Sequence, residues 1–537
     1  MNNILKNKTY LYLTEFFSGM SVMAVELAAS RLMAPYFSSS QIVYTIIIGT
    51  VMIAMALGNV YGGKTADNNP DPAILYRRML IAGAWIAAIP FLGRYILIGI
   101  TGILVLSVNS NFLIIAAFAS CMIVFVFPLF LLGTVTPSLV RYIMENAEES
   151  GEIVGKLGAF NTVGSIIGTF LPTFVTIPSV GTAATFIIFS GILIILAALY
   201  FISIKNTPKA LIICAVVFLI CAIFGSKVSF AFWDGDMSYE GESVYNYLQV
   251  KEDDEKVVLS TNVLFGVQSV KMKTEGMTGM YYDYALAAPA MAKAATKAAE
   301  PLEILILGNG TGTFATQCAK YYSPCRIDAV EIDGKISDLA YEYFDMAEDI
   351  VLYEYDGRAF LQAIDKKYDV ILVDAYQDIT IPFQMSSTEF FTLVKTHLTE
   401  NGVMVVNMNM HSDGKGAINE YLTDTILSIF PCAYSADVPY NSNRELFAAA
   451  NDVKELLALG MHDASFDPLL RQQLKTVQSV LVKCKPSGLN HILTDDKAPV
   501  EVLGMSMIDS IISEELEYYQ GIYKEEGIRG LADRLLF

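Results

Sequence analysis

Basic residues are scarce in this sequence. Lys and Arg number 36 against 55 Asp and Glu, a formal charge of −19. That balance argues against a nucleic-acid partner, because phosphate backbones are held by clustered Lys and Arg. Histidine is scarcer still. His397, His411, His462 and His491 are scattered, and none of the seven cysteines forms a Cys-x-x-Cys pair. Metal-ligand spacings are therefore missing, no metal is expected, and the cysteines are read as buried free thiols. The first apolar stretch is not expected to be a cleavable leader: it is too long, carries Glu15 and Glu26, and has no small-residue cleavage site. Charge of either sign is thin over residues 1–228, with 12 Lys/Arg and 8 Asp/Glu; residues 229–537 hold the other 24 and 47. The first part balances at +4 and the second at −23, which sets an apolar half against an acidic one.

The apolar half contains stretches of about the 20 residues needed to cross a bilayer, near 11–35, 42–62, 79–105, 112–137, 158–178, 182–203 and 208–226. They predict a multi-span α-helical membrane domain over 1–228, with about seven spans and the lipid bilayer as a partner. Gly58-x-x-x-Gly62 and Gly164-x-x-x-Gly168 mark faces where two helices can approach closely. Gly62 to Asp67 resembles the loop between the second and third helices of major-facilitator transporters. Glu26, Arg31 and Arg94 are ionisable residues in or near the spans, where they either line a path or pair inside the bundle. Lys and Arg fall in every second connection (Lys6 and Lys8; Lys64, Arg77 and Arg78; Arg141 and Lys156; Lys205 and Lys209). The positive-inside rule then predicts an integral plasma-membrane protein with a cytoplasmic amino terminus. Seven spans place the acidic half outside, and the side it faces stays open. The oligomeric state is open too, a homo-oligomer included.

The acidic half is organised around Glu303 to Asp333. A strand over Glu303–Leu307 runs into Gly308-Asn309-Gly310-Thr311-Gly312-Thr313; a helix follows over Phe314–Tyr322, then a strand over Arg326–Val330 that closes on Glu331. A parallel βαβ unit needs this layout. Gly308, Gly310 and Gly312 let the backbone approach a ligand without a Cβ in the way. Glu331, 19 residues beyond Gly312, stands where an acid accepts hydrogen bonds from ribose hydroxyls. The spacing is GxGxG, which favours an adenosyl ligand without a pyrophosphate. The rhythm continues with a strand over Asp349–Tyr355 ending on Asp356-Gly357, a strand over Tyr368–Val373 ending on Asp374, a helix over Ser387–His397 and a strand over Gly402–Met408. Three successive strands thus finish in an acid, at the edge where open α/β sheets bind ligands. Ahead of them, Val244–Val250, Lys256–Ser260 and Leu264–Met272 predict a small β cap, followed by an alanine-rich helix over Ala285–Ala299; Asp452–Val477 is expected to be helical and exposed. The expected fold is therefore the multi-span domain (1–228), a β-hairpin cap with linking helix (229–300), and an α/β Rossmann-like domain of S-adenosylmethionine-transferase type (301–537).

These residues carry a resemblance. Leu264 to Gln268, the Tyr281 region, Gly308 to Thr313, Glu331 to Asp333, Asp356 to Arg358, and Asp374 with Ile381-Pro382-Phe383 resemble the spermidine synthase family of polyamine aminopropyltransferases. With Glu26 to Phe37, Gly133 to Pro137 and Thr494 to Glu501, the whole chain is similar to the branch fused to a membrane domain. The resemblance implies transfer of a 3-aminopropyl group from decarboxylated S-adenosylmethionine to a small cationic polyamine such as putrescine, releasing methylthioadenosine. It implies that Glu331 holds the ribose, Asp356 with Gly357 the adenine, and that Gln268 and Tyr281 line the donor and acceptor pocket. Asp374 would take the acceptor's proton, a role that suits a carboxylate because a protonated amine is no nucleophile. Two departures stand out. Thr311 occupies the family's usual aspartate position, which would admit intact S-adenosylmethionine, and Gln377, with Asp378 next to it, stands where a second acid is usual. Asp495, Asp496 and Glu501 are candidates to supply that charge to the substrate. Two other readings remain: another S-adenosylmethionine-dependent transferase such as a methyltransferase, or a transporter or sensor that binds a polyamine or nucleoside without turnover.

Overall fold

The structure, a computed structural model, describes residues 7–37, 39–105, 108, 111–144, 150–225, 229–232, 237–263, 267–294, 300–375, 381–409, 416–439, 442–463, 465–504, 513, 516–518 and 520–527. The chain divides into two compact units, Met1–Gly235 with Ile512–Phe537, and Asp236–Ile511. The segment from Ile512 thus groups with the first unit, where the sequence reading kept it in the second.

The first unit is helical: α1 (Lys8–Phe37), α2 (Gln41–Asn68), α3 (Pro72–Val105), α4 (Phe112–Val124), α5 (Val126–Gly133), α6 (Val135–Ile143), α7 (Ser150–Leu171), a π turn (Pro172–Thr176), α8 (Ile177–Ser203) and α9 (Lys209–Phe224). Among the described residues, five runs are long and apolar enough to cross a membrane: Lys8–Phe37, Gln41–Asn68, Pro72–Val105, Val126–Ile143 and Gly151–Ser203; Phe112–Val124 and Lys209–Phe224 are apolar but shorter. Gly151–Ser203 spans two of the stretches expected from sequence and is broken at Gly181, whose φ of 82° is not helical. The small-residue faces are close contacts. A Cβ on Gly58 would lie 2.3 Å from the Phe130 carbonyl oxygen, and one on Gly164 2.0 Å from that of Phe16, which seats α2 on α5 and α1 on α7. Gly62–Asp67 forms the last turns of α2, not a loop. Glu15 is buried, and its Oε1 accepts from Thr136 (2.6 Å) and Asn161 (2.8 Å). Arg94 donates to the Ser229 carbonyl (2.6 Å) and lies over the rings of Tyr95 and Phe232.

The second unit opens with an antiparallel sheet of four strands, β1 (Met237–Glu242), β2 (Tyr247–Glu252), β3 (Lys256–Ser260) and β4 (Ser269–Met272), in that order. Leu248, Val250, Val257 and Leu259 of this sheet pack on Ile336, Leu339 and Phe344. The helices α10 (Tyr281–Ala285) and α11 (Ala287–Lys293) then enter the α/β body. That body runs β5 (Leu302–Leu307), α12 (Thr313–Tyr321), β6 (Cys325–Glu331), α13 (Gly334–Tyr343), β7 (Val351–Glu354), α14 (Gly357–Ala363), β8 (Tyr368–Val373), α15 (Thr388–Thr396) and β9 (Leu398–Met408). It continues as α16 (Ile418–Ile429), β10 (Cys432–Asp437), β11 (Arg444–Ala449), α17 (Val453–Gly460), α18 (Pro468–Val480) and β12 (Val482–Lys483). The sheet order is β12-β10-β11-β9-β8-β5-β6-β7. Strands β5 to β9 pair in parallel, and β10, β11 and β12 add antiparallel pairs.

This order decides where a ligand goes. From β5 the chain steps through β6 and β7 to one side, then returns to lay β8 on β5's other side. The crevice outside the carboxyl ends of β5 and β8 is therefore the topological switch point, the place where open α/β sheets bind. The helices begin where side chains cap them. Asp333 accepts from Lys335 N–H, Asp356 from Ala359 N–H and Ser387 from Phe390 N–H. Two expectations are corrected. The cap has β1 as a further strand, and α17 and α18 are exposed on one face only: Val453, Leu457, Leu470, Leu474 and Val477 have no accessible surface and join the main core. Part of the expected linking helix (295–299) and part of the expected third cap strand (264–266) lie outside the described residues.

Candidate active site

At the switch point Gly308 leaves β5 with φ +89°, its N–H donating to the Val330 carbonyl (2.9 Å), while Asp374 leaves β8 with its N–H on the Leu307 carbonyl (2.8 Å). A Cβ on Gly308 would lie 2.4 Å from the Asp374 carbonyl oxygen. The glycine turn and the acid-tipped strand are therefore in backbone contact, and only glycine allows it. Gly308→Ala should cost about 1–3 kcal/mol through the positive φ alone, plus the displacement of Asp374. Thermal unfolding of the variant checks this, and an unchanged midpoint would contradict it.

A cavity of about 290 Å³ opens here. Its wall includes Gln268, Tyr281, Gly308, Gly310, Glu331, Asp356, Gly357 and Asp374, bringing together eight of the residues singled out in the sequence. Gly312 is not on the wall; it shapes the turn with φ +81°, and a Cβ there would strike the Met346 sulfur. Asp496 is exposed in the turn closed by Thr494 and Lys497, and neither it nor Glu501 lines the cavity. Asp495 is taken up elsewhere, by both guanidinium nitrogens of Arg358 (2.8 and 2.6 Å) and by Ser387. Gln377 and Asp378 lie outside the described residues. Thr311 is buried, with its N–H on Ser269 Oγ (3.2 Å), and is not on the wall.

Glu331 is buried at the tip of β6. Its Oε2 accepts the Gly310 N–H (2.8 Å) and its Oε1 the Asp333 N–H (3.0 Å), so the carboxylate both pins the glycine turn and keeps lone pairs for a ligand. Burial pushes its carboxyl up to about 7, against those two backbone hydrogen bonds, which lower it. Asp374 receives two side-chain donors, the Tyr281 hydroxyl on Oδ2 (2.7 Å) and the Asn407 amide on Oδ1 (2.8 Å). Burial pushes its carboxyl up to about 7 as well, with both donors pulling the other way. A carboxyl poised there suits proton transfer at neutral pH.

Support extends outward from these contacts. Asn407 accepts from the Asn443 amide (2.8 Å), which fixes its orientation toward Asp374. Tyr281 is held by the loop before it: Asp283 accepts from Thr278 N–H, Gly279 N–H and Gln317. The Tyr282 ring lies 4.0 Å from that of Tyr281, and its hydroxyl donates to the Gln268 carbonyl (2.6 Å). Asp333, besides capping α13, accepts from Ser243 (2.6 Å) and Asn246 (2.9 Å), tying the four-stranded sheet to the tip of β6. Tyr282, Asn407 and Asn443 were not singled out by sequence; only the strand pairing brings the two asparagines to Asp374. Among the described residues no three His, Cys, Asp or Glu side chains converge as a metal site would require.

Comparison with known proteins agrees with this chemistry. Residues 284–436 match the spermine/spermidine synthase domain. The probable polyamine aminopropyl transferase of Bifidobacterium longum (strain NCC 2705) is 53% identical over 348 residues, covering 62% of this chain and 77% of that one. The polyamine aminopropyltransferase of Alkaliphilus metalliredigens (strain QYMF) is 30% identical over 199 residues, 35% of this chain and 68% of the relative. Among solved structures, a probable spermidine synthase from Corynebacterium glutamicum aligns with 19% identity and a TM-score of 0.37, over 49% of this chain and 95% of that one. On the identity and coverage of its relatives, the chain belongs to the polyamine aminopropyltransferase family and is a transferase of the aminopropyltransferase type.

Proposed function

We propose that the second unit transfers a 3-aminopropyl group from decarboxylated S-adenosylmethionine to a polyamine such as putrescine, and that the first unit anchors it in a membrane. The observation that carries the reaction is Asp374, clamped by Tyr281 and Asn407 at the switch point, in one cavity with Glu331 and Asp356. Glu331 offers its free lone pairs to the ribose hydroxyls. Asp356 and Gly357, at the start of α14, border the adenine. Gly308 and Gly310 bring backbone close to the donor. The acceptor arrives as an ammonium ion, and Asp374 takes its proton and aims the freed lone pair. The nitrogen attacks the methylene carbon beside sulfur, the carbon–sulfur bond breaks, and its electron pair returns to sulfur as neutral methylthioadenosine. Both substrates are cationic, and an acidic cleft raises their local concentration.

The test is a product assay on the detergent-purified full chain with putrescine and either form of the donor. Methylthioadenosine released with an aminopropylated amine is expected. S-adenosylhomocysteine released from the intact form would favour a methyltransferase instead. The pH profile should carry the mark of Asp374. Acceptor turnover per KM should rise steeply through about pH 7, where Asp374 and Glu331 are half ionised, then more shallowly once both are ionised and only the amine continues to lose protons. A profile without a break between pH 5 and 9 would contradict the role.

Membrane anchoring is supported by the five long apolar helices and by the apolar side chains that the first unit exposes, such as Ile103 and Phe174 at 69%. We place the amino terminus in the cytoplasm of a plasma-membrane protein, on the alternation of Lys and Arg. A donor made in the cytosol requires the second unit on that same side, hence an even number of crossings. An alkaline-phosphatase reporter fused after residue 233 should be silent, and activity there would place the unit outside.

A further inference from the structure

A second cavity, of about 280 Å³, lies between β4 and α12 and shares no lining residue with the catalytic one. Its helical wall is Thr313, Thr316, Gln317, Lys320 and Tyr321, which stand at i, i+3, i+4, i+7 and i+8 and so form one face of α12. A helix face turned toward a neighbouring strand is ordinarily apolar. Here it is polar, while Phe314, Ala315 and Cys318 face the core. Across the cavity β4 supplies Lys271 and Lys273, and the Thr313 hydroxyl donates to the Val270 carbonyl (2.9 Å), joining the two elements. Lys271 and Lys273 pair with Asp345 and Glu252. Lys320 meets no carboxylate among the described residues and lies over the Tyr321 ring, 5.2 Å from its centroid. Two polar atoms of the wall are orphaned. Tyr321 is 9% exposed, and its hydroxyl has no partner among the described residues. Gln317 gives its amide N–H to Asp283 (2.7 Å), and its Oε1 has no partner. Buried polar groups left unpaired by the protein are costly and persist where something else completes them. The charge is unusual as well. In a chain of −19, this wall sets three lysines against Glu275, whereas the catalytic wall holds Glu331, Asp356 and Asp374 with no Lys or Arg.

We propose that this cavity is a binding site for a small phosphorylated molecule that also carries a hydroxyl group. Lysine serves phosphate as a point charge, and the excess of lysine in the wall suits a dianion. The Tyr321 and Thr316 hydroxyls donate to phosphate oxygens beside the Lys320 ammonium. The Gln317 Oε1 can only accept, so it calls for a donor on the ligand. Gln317 stands one helical turn, about 5.4 Å, before Lys320 and Tyr321. A hydroxyl a few bonds from the phosphate spans that turn, and inorganic phosphate does not. The acidic catalytic cavity repels the same ligand. The inference goes beyond the proposed reaction and does not rest on it.

The test is equilibrium binding of glycerol 3-phosphate, inorganic phosphate and glycerol to the detergent-purified full chain. It is run on the parent protein, on Tyr321→Phe and on Lys320→Ala. The parent is expected to bind glycerol 3-phosphate at least about tenfold more tightly than either inorganic phosphate or glycerol. Tyr321→Phe should weaken glycerol 3-phosphate about tenfold or more, because it removes a donor to a charged oxygen. It should keep the parent's unfolding temperature, since it takes away a hydroxyl that no protein group uses. Lys320→Ala should weaken binding roughly two- to fivefold, the effect of a solvent-exposed charge. Saturating methylthioadenosine should displace nothing. The inference is overturned if glycerol 3-phosphate does not bind, if inorganic phosphate binds equally well (an adventitious ion only), or if methylthioadenosine displaces the probe. It is overturned too if either variant binds like the parent, and a lower unfolding temperature for Tyr321→Phe with unchanged binding would assign the hydroxyl to structure. The probe carries neither an amine nor an adenosyl group, so failure of the product assay would leave this measurement to decide the second cavity separately.

Discussion

Asp374→Asn is expected to lower turnover roughly 100- to 10,000-fold, the range over which a positioned general base contributes. Affinity for the donor should change by less than about threefold, well under the factor of ten that 1.4 kcal/mol represents. Asparagine keeps the shape and one acceptor oxygen. The Asn407 amide can stay on that oxygen, and the Tyr281 hydroxyl can rotate to accept from the new amide. What is lost is the capacity to take a proton from the acceptor ammonium. A loss confined to kcat marks an interaction made only on the way to the transition state. Stability supplies a second reading. A carboxyl held up to about 7 keeps its proton in the folded state while the unfolded chain has already released it. Its favourable contribution is complete below the ordinary carboxylate range and is lost as pH climbs toward 7. The variant should therefore equal the parent in unfolding temperature near pH 4 and exceed it at pH 8. Unchanged turnover, or turnover and donor affinity falling together, would count against the base.

Glu331→Gln should act on the donor instead. Each oxygen of Glu331 already accepts a backbone N–H, from Gly310 on one side and Asp333 on the other. An amide nitrogen at either position turns an acceptor toward a donor, so the glycine turn must shift or lose a bond. The ribose loses a charged acceptor at the same time. Losing one charge-assisted hydrogen bond, at about 1.5–3 kcal/mol, lowers donor affinity roughly 10- to 100-fold. Titration of the variant with methylthioadenosine measures this. Acceptor binding in the absence of the donor should be unaffected, since Asp374 and its two donors do not touch Glu331. Equal methylthioadenosine affinity in variant and parent would remove Glu331 from the ribose.

These residues differ in how far the sequence exposes them. Glu331, Asp356 and Asp374 are legible because each follows an apolar run of strand length, and because parallel strands bring their ends to one edge. The glycine turn is legible because its spacing and the acid 19 residues later are features of local chain geometry. Asn407, Asn443 and Glu445 are not. Each sits in, or just before, a strand whose neighbours are far along the chain, and in Asn443-Arg444-Glu445 the polar run reads as solvated surface. Only the pairing of β11 between β9 and β10 buries it. The same reason hides β1, whose Met-Ser-Tyr-Glu-Gly-Glu sequence has no apolar face until β2 supplies a partner. Charged residues made α17 and α18 look exposed, yet Leu457, Leu470 and Leu474 form narrow stripes that the core covers. In the first unit, the apolar stretches are plain in the sequence, but the break at Gly181 and the run of α4, α5 and α6 are not, because hydropathy does not record where a helix bends.

The most direct measurement is an experimental structure of the protein with methylthioadenosine bound. The ribose hydroxyls are expected on Glu331, the adenine beside Asp356, and the thioether sulfur facing Asp374 across the space where an amine would sit. A nucleoside found elsewhere, or one whose sulfur points away from Asp374, would contradict the assignment of this cavity to aminopropyl transfer.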